Sequence, residues 1–310
     1  MTPQDPAELC SRRMPSRLLR RSTRTAALTT AFALAVSAPA LGAGTNVRIA
    51  DSGTSATRLA AEAAAQALAA QGLTVTRSSY PTASAADAAA RLGGVDVYMT
   101  ETATLLERVL ARPKERDDAR LRAGLTTLLA ARAQAPLAVA AYDDSPQVAC
   151  TARAVRAHKL TGLLALARAA RSLTYAANPA HVVRADGLAA LRVKFRRVIV
   201  ASGTGRFDVI ARSRAHCVLS SAAEPRSGRL SLIGLRDVTR RLAGTPQHGV
   251  AVVSQAYRAT APAAFGPTLD RVAALLTTEN LRTLLGLVDI DGQDPAAAAQ
   301  GLLRANGVIP

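Results

Sequence analysis

The chain has 310 residues, of which 49% are hydrophobic and 20% charged, so it is long enough and apolar enough to bury a substantial core. This composition excludes a disordered protein, and the absence of an apolar run of about 18 residues excludes a multi-span membrane protein. The net charge is +17, but only 3% of residues are aromatic, and three cysteines are too few for a disulfide-built scaffold.

The first 43 residues have the composition of an export signal. Six arginines precede the apolar stretch 26–36, and the small residues 37–40 suit a cleavage site. Met14 is an alternative start, because residues 1–13 add nothing that a signal peptide needs. An uncleaved anchor is the competing interpretation, but eleven apolar residues are few for a membrane span. We therefore expect cleavage of residues 1–43 and a periplasmic or other extracytoplasmic location.

The positive charge persists after the leader is removed. The remaining basic residues are scattered, with short groups at 192–197 and 236–241, and they are not interleaved with aromatic rings. This pattern favours a solvated, arginine-rich surface over nucleic-acid binding. A positively charged face could instead bind an anionic membrane surface or an acidic partner, and the sequence does not decide between these interpretations. Cys150 and Cys217 could pair in an oxidising compartment, although their spacing alone does not decide it.

Short apolar strands alternate with amphipathic helices along the chain, which predicts an α/β fold with mostly parallel sheets. The predicted strands are 47–50, 73–77, 95–98, 137–141, 148–151, 173–176, 198–201, 217–220 and 250–254. The predicted helices are 57–70, 84–92, 102–110, 161–170, 206–213, 268–276, 279–288 and one that begins at Asp294-Pro295. Ser84 and Asp87 resemble a capping box, and Pro295 is typical of a first helical position.

Turn residues at 143–146 and 244–247 predict two crossings between lobes. Lobe I would comprise residues 44–145 and 245–310, and lobe II residues 146–244. Such a topology leaves a cleft between the lobes, which is a preferred place for a small ligand.

Four segments resemble, in order, the glycine betaine/choline/osmoprotectant-binding proteins of ABC importers. They are VRIADSGTSATRLAAEAAAQALAAQGLTV (47–75), VDVYMTETAT (95–104), LTYAANPAHVVRADGLAAL (173–191) and LTTENLRTLLGLVDIDGQDPAAAAQGLLRANGVI (276–309). The resemblance covers nearly all of 47–310. It implies the type II periplasmic-binding-protein fold, with two lobes and a ligand cleft between them.

The resemblance also implies a cage of aromatic rings that holds a quaternary ammonium by cation–π attraction. Here the family's cage positions are depleted. Its Lys, Asn and Phe after the first strand correspond to Ser52, Gly53 and Thr54, and the Tyr of its strand-turn motif corresponds to Glu101. Thr102 of that motif remains.

Three tyrosines could still contact a ligand, because each ends a predicted strand. They are Tyr98, Tyr142 and Tyr175, and each could equally be an ordinary half-buried strand residue. Glu101 could pair with a cationic ligand in place of a ring, or be a solvated carboxylate at a helix N-terminus. With Asp144 at the first crossing, the candidate ligand-binding set is Ser52, Thr54, Tyr98, Glu101, Thr102, Tyr142, Asp144 and Tyr175.

No pattern of residues predicts catalysis, a metal site or a cofactor. The four histidines, His158, His181, His216 and His248, lack metal-ligand spacing, and neither a P-loop nor a G-x-S-x-G motif occurs. We expect a monomeric, non-enzymatic binding protein that delivers a small organic cation or zwitterion to an ABC permease and does not bind nucleic acid. The alternative is a degenerate binding-protein fold with a sensory or interaction role and a different ligand or none.

Overall fold

The computed structural model describes residues 45–183, 187–238, 242 and 244–310. The expected signal peptide, and the Asp186 of the mid-chain motif, lie outside these residues. Within the described chain, no helix combines the length and the apolar character needed to cross a bilayer.

Ten strands form two five-stranded sheets in the part of the chain that the structure describes. The first sheet has the order β2-β1-β3-β10-β4, and the second has the order β7-β6-β8-β5-β9. The strands are β1 Asn46–Asp51, β2 Thr74–Ser79, β3 Val97–Glu101, β4 Gln134–Val139, β5 Pro146–Thr151, β6 Thr174–Ala177, β7 Arg197–Val200, β8 Cys217–Ser221, β9 Leu232–Gly234 and β10 Gly249–Ser254.

Helices flank both sheets. They are α1 Ser55–Ala70, α2 Ala83–Arg91, α3 Thr102–Thr104, α4 Asp118–Ala130, α5 Ala152–His158, α6 Leu163–Ala169, α7 Pro179–Val183, α8 Gly205–Ala211, α9 Pro225–Arg229, α10 Gln255–Thr260, α11 Phe265–Leu275, α12 Thr278–Asp289 and α13 Pro295–Ala305. α3 continues as a π-helical turn, Leu105–Val109, and short 3₁₀ turns cover Ala170–Ser172 and Leu188–Leu191.

Each sheet is mixed: four of its five strands run in one direction, as predicted, and one strand runs in the opposite direction. In the first sheet β1 runs parallel to β2 and β3, whereas β10 runs antiparallel to β3 and β4. In the second sheet β6 runs parallel to β7 and β8, whereas β5 runs antiparallel to β8 and β9. The antiparallel strands β5 and β10 directly follow the two crossings, where the chain passes from one sheet to the other.

We refer to residues 45–145 and 245–310 as the first-sheet segment and to residues 146–244 as the second-sheet segment. All strands of the first sheet come from the former and all strands of the second sheet from the latter. The exact boundaries of the two lobes stay a prediction.

Helix α1 packs closely because most of its buried residues are alanines. Seven alanines are buried along its 16 residues, and the helix packs against β1, α11 and α13 in the first-sheet core. Thr54 caps its N-terminus in a reciprocal pair with Thr57. The predicted capping box at Ser84 is wrong, since α2 is capped by Thr82 instead.

The pairing of Cys150 with Cys217, which the sequence leaves open, is present. The two residues lie directly opposite each other on β5 and β8 and form a disulfide. Both are fully buried in the second-sheet core, 67 residues apart in sequence. The bond therefore joins neighbouring strands at the end of the second sheet that is remote from Pro146.

Candidate functional site

A cavity of about 470 Å³ opens between the two segments, within the usual size range of a small-molecule site. Both segments contribute to its wall, and His181 carries the only ring other than proline among the described lining residues. The lining residues are Ser52, Thr54, Pro81, Thr82, Ala83, Ala103, Thr104, Glu107, Arg108, Lys114, Pro146, Asn178, His181, Gly187, Leu219, Leu242, Thr245 and Gln247.

The loop between β1 and α1 brings Ser52 and Thr54 to the cavity. Asp51, fully buried at the end of β1, accepts hydrogen bonds on Oδ1 from the Gly53 N–H and the Ser79 hydroxyl, both at 2.9 Å. Gly53 has φ +85°, and a Cβ at this position would lie 2.8 Å from the Tyr80 carbonyl oxygen. The loop therefore requires glycine for conformation and for space.

We expect Gly53→Ala to lower the free energy of unfolding by about 2 kcal/mol, because left-handed strain and a backbone clash add. Gly72→Ala is the matched control: Gly72 has φ +83° but no atom within 4 Å of the added Cβ. That variant should lose only about 1 kcal/mol, from strain alone. Urea unfolding of both variants measures the difference, and equal losses would refute the role of the clash with Tyr80.

Helix starts bring further polar groups to the first-sheet wall. Thr54 and Thr82 cap α1 and α2, and both residues line the cavity. Two helix N-termini, each with a partial positive charge, thus face the same cavity.

Glu107, in the π-helical turn, accepts a 2.6 Å hydrogen bond from the hydroxyl of Thr245, which lies in the second crossing, near residues 244–247. Among the described lining residues, the first-sheet side therefore combines hydroxyl groups with Arg108, Lys114 and the carboxylate of Glu107.

The side of the cavity formed by the second-sheet segment includes the start of β5 and the residue that follows the end of β6. Pro146 begins β5, and Asn178 directly follows β6. The Asn178 side chain accepts a 2.6 Å hydrogen bond from the His181 N–H, which fixes the start of α7. His181 in turn lies with Nε2 3.3 Å from the hydroxyl of Tyr175.

None of the three predicted tyrosines lines the cavity. Tyr98 is fully buried and donates a hydrogen bond to Asp87 at 3.3 Å. Tyr142 is fully buried in the first-sheet core beside Gly249, and Tyr175 is fully buried and stacks on Phe195 at 4.6 Å between ring centroids. Tyr175 contacts His181, which lines the cavity. Direct contact of the three rings with a ligand stays a prediction.

Glu101 and Asp144 lie close together beside the crossings and do not line the cavity. Burial, reinforced by the charge of Asp144, raises the pKa of Glu101 to about 7. Burial also raises the pKa of Asp144, against the opposing effect of its hydrogen bonds from Ser221 and the Ala223 N–H. Two carboxyl groups with elevated pKa values therefore share a partly buried space next to the crossings.

Thr102, directly after β3, is hydrogen-bonded to the second crossing, near residues 244–247. Its hydroxyl donates to the Pro246 carbonyl at 2.6 Å and accepts from the His248 N–H at 3.0 Å. The Asp144 N–H donates to the Gln247 carbonyl at 2.8 Å, so the two crossings are also bonded to each other. Thr102 and Asp144 thus position the crossings, and their contact with a ligand stays a prediction.

Of the eight predicted residues, only Ser52 and Thr54 belong to the cavity wall. The sequence reasoning missed Thr82, Glu107, Arg108, Asn178, His181 and Thr245. Thr82 and Asn178 carried a usable signal, because each is a capping residue type that lies between a strand and the first residue of a helix. Glu107 and Arg108 carried none, since a charged pair in an amphipathic helix is usually solvated.

Two mixed β-sheets flanked by helices, joined by two crossing segments and with a polar cavity at the sheet ends, have the architecture of the type II periplasmic-binding-protein fold. The family described as the substrate binding domain of ABC-type glycine betaine transport system matches residues 45–305. The chain belongs to this family. Its members are extracytoplasmic substrate-binding proteins and not enzymes.

Solved structures support the fold at low sequence identity. A glycine betaine/carnitine/choline ABC transporter structure has a TM-score of 0.77 at 15% identity and covers 84% of this chain and 99% of its own. Apo YehZ from Escherichia coli has a TM-score of 0.72 at 18% identity, covering 86% and 100%. A choline-binding protein in complex with choline has a TM-score of 0.52 at 16% identity, covering 85% and 89%. No curated protein matches the chain.

Proposed function

We propose that the chain is the extracytoplasmic substrate-binding component of an ABC importer and that its ligand is a small organic zwitterion with a carboxylate. The protein works as a monomer without a cofactor and catalyses no reaction. Ligand binds in the cavity, contacts both segments and biases them toward a closed form, which docks on the membrane permease. Export by residues 1–43 and the buried Cys150–Cys217 disulfide are both consistent with an oxidising compartment.

The polar lining of the cavity carries this proposal. A carboxylate is stabilised by helix N-termini and by guanidinium or ammonium groups. The N-termini of α1 and α2, together with Arg108 and Lys114, supply both at the first-sheet wall. The cationic end of a zwitterion would then be paired with Glu107, the carboxylate of the same wall.

The described part of the lining contains no phenylalanine or tyrosine, and this observation bears on the ligand. Cation–π attraction would give a quaternary ammonium its affinity, but the described lining residues offer only the His181 ring. Recognition therefore relies on the carboxylate more than on the methyl groups. The same observation favours the second candidate function, a binding-protein fold used as a sensory or interaction module with a different ligand or none.

A thermal-shift screen of the full chain separates these two functions. The panel is glycine betaine, carnitine, proline betaine, choline and polyamines. Choline is the matched control, since it shares the trimethylammonium of glycine betaine but lacks the carboxylate. A ligand at about a hundred times its Kd adds about 2.7 kcal/mol and raises Tm by several degrees. We expect a carboxylate-bearing zwitterion to raise Tm more than choline does, whereas no rise with any compound would refute the transport function.

Arg108→Gln tests the proposed carboxylate contact. Loss of a charge-assisted hydrogen bond of about 1.5 to 3 kcal/mol should raise the Kd of the active zwitterion at least tenfold. Arg112→Gln, four residues further along and outside the cavity lining, is the matched control and should leave the Kd unchanged. Isothermal titration calorimetry measures both, and equal affinities for the two variants would exclude Arg108 from the site.

A further inference from the structure

The two segments differ sharply in charge. The second-sheet segment, residues 146–244, has 18 Lys and Arg residues and only 4 Asp and Glu residues. The first-sheet segment, residues 45–145 and 245–310, has 15 basic and 16 acidic residues. The second-sheet segment therefore has a net charge of +14 and the first-sheet segment a net charge of −1, so all of the net positive charge that follows the leader belongs to one segment. A genome-wide coding preference for arginine acts on both segments alike, so it does not explain the shortage of acidic residues in one of them.

Several of these cations lie at the end of the second sheet that is remote from the cavity. Pro146 and Asn178 mark the cavity end of this sheet, and the opposite end is marked by the end of β5 and the starts of β6, β7 and β8. We name the exposed cations there the basic pole. They are Arg153, Arg171, Arg196, Arg197 and Arg214.

Backbone pairing brings these five residues to the same end. Arg197 lies opposite Thr174 at the start of β6, and the His216 N–H donates to the Thr174 carbonyl at 2.8 Å. The Thr151 N–H, which precedes α5 and Arg153, donates to the His216 carbonyl at 2.9 Å. Arg153 and Arg196 are close enough to His216 to lower its pKa, after the larger effect of burial.

The five arginines are available for an external partner. Among the described residues none of them forms an ion pair, and only Arg196 makes a side-chain hydrogen bond, to the Thr174 hydroxyl at 3.2 Å. Tyr175, Phe195 and Phe207 of this segment are buried, so the surface offers charge without stacking rings. Unstacked arginines suit phosphate groups better than they suit the bases of a nucleic acid.

From this charge complementarity we propose that the basic pole docks on an anionic phospholipid surface. Each guanidinium near such a surface contributes a similar electrostatic binding free energy. Several of them together bind the protein reversibly to the surface without a membrane-spanning helix. Attachment through the pole leaves the cavity, at the other end of the second sheet, open to solvent. The protein would then search for its permease along the membrane instead of through the whole compartment.

The test compares two full-length variants with the same change in net charge. The pole variant carries Arg153→Gln, Arg171→Gln, Arg197→Gln and Arg214→Gln. The control variant carries Arg112→Gln, Arg116→Gln, Arg120→Gln and Arg258→Gln, four exposed arginines of the first-sheet segment. Both retain the leader, so any binding by residues 1–43 is common to them. Sedimentation with vesicles of one-third phosphatidylglycerol and two-thirds phosphatidylcholine measures the binding.

We expect the pole variant to bind these vesicles at least tenfold more weakly than the wild type and the control variant to bind within about threefold of it. Binding of the wild type should disappear on pure phosphatidylcholine and at about 1 M salt, where the Debye length is about 3 Å. Equal binding by the two variants, or no binding by the wild type, would overturn the proposal. Tighter binding of the wild type to a DNA duplex than to the vesicles would overturn it in favour of a nucleic-acid partner.

Discussion

The double variant Cys150→Ala/Cys217→Ala should lose about 4 kcal/mol of unfolding free energy. The disulfide closes a loop of 67 residues, and opening a loop of this length restores chain entropy to the unfolded state by about this amount. Alanine is the replacement because it is small and apolar, and both sulfur atoms are fully buried among apolar side chains. For a chain of this size the loss corresponds to a fall in Tm of roughly 10 °C.

Equilibrium unfolding in guanidinium chloride measures this loss. Cys10→Ala, which removes the third cysteine, is the control for loss of a sulfur atom and should match the wild type. Wild type treated with a reductant should approach the double variant. A loss below about 1 kcal/mol in the double variant would mean that the bond constrains the unfolded chain far less than its loop length implies.

The second large effect is the pH dependence that Glu101 confers on stability. Its pKa rises from 4.5 in the unfolded chain to about 7 in the folded protein. The folded state therefore holds the proton more tightly, and the unfolding free energy falls as pH rises between these two values. The fall is complete above the folded pKa and amounts to about 3 kcal/mol.

Glu101→Gln removes this contribution, because glutamine keeps a neutral side chain at every pH. We expect the variant to resemble the wild type in stability near pH 4 and to exceed it by about 3 kcal/mol near pH 8. Urea unfolding of both proteins across this range measures the difference, which includes the effect of removing Glu101 on the titration of its neighbour Asp144. A difference that stays constant with pH would show that Glu101 does not titrate with an elevated pKa.

Local signals in the sequence were enough to predict most of the regular elements. Strands β1, β8 and β10 have apolar runs bounded by turn residues, and α13 begins at Asp294-Pro295 as predicted. The segments α5, α7, α9, α10 and β9 were missed, because elements of three to seven residues are too short to establish a period. The 13-residue helix α4 was also missed, because its start lies in a highly charged run that is typical of a surface connection. The antiparallel direction of β5 and β10 was not predicted, since it depends on which distant strands they meet.

The cavity was predicted less completely than the fold, for a reason that the tyrosines illustrate. Tyr98 was expected at the end of a strand, but β3 continues to Glu101, so the ring lies inside the sheet opposite Ala50 and Val252. A shift of a few residues in a strand boundary moves a side chain from an edge to the core. Thr245 and Glu107 meet across 138 residues of sequence, and no local pattern indicates such a contact.

The alanines of α1 have a consequence for how this chain can change by mutation. Because its buried side chains are mostly methyl groups, the backbone of α1 lies close to the elements it packs against. A larger residue at these positions would push the helix away from them, so the position of the helix tolerates few substitutions. Substitutions elsewhere in the wall, at Thr82, Arg108 or Asn178, change the chemistry of the cavity without moving the helix. New ligand specificities can therefore evolve around a constant reference point, the N-terminus of α1.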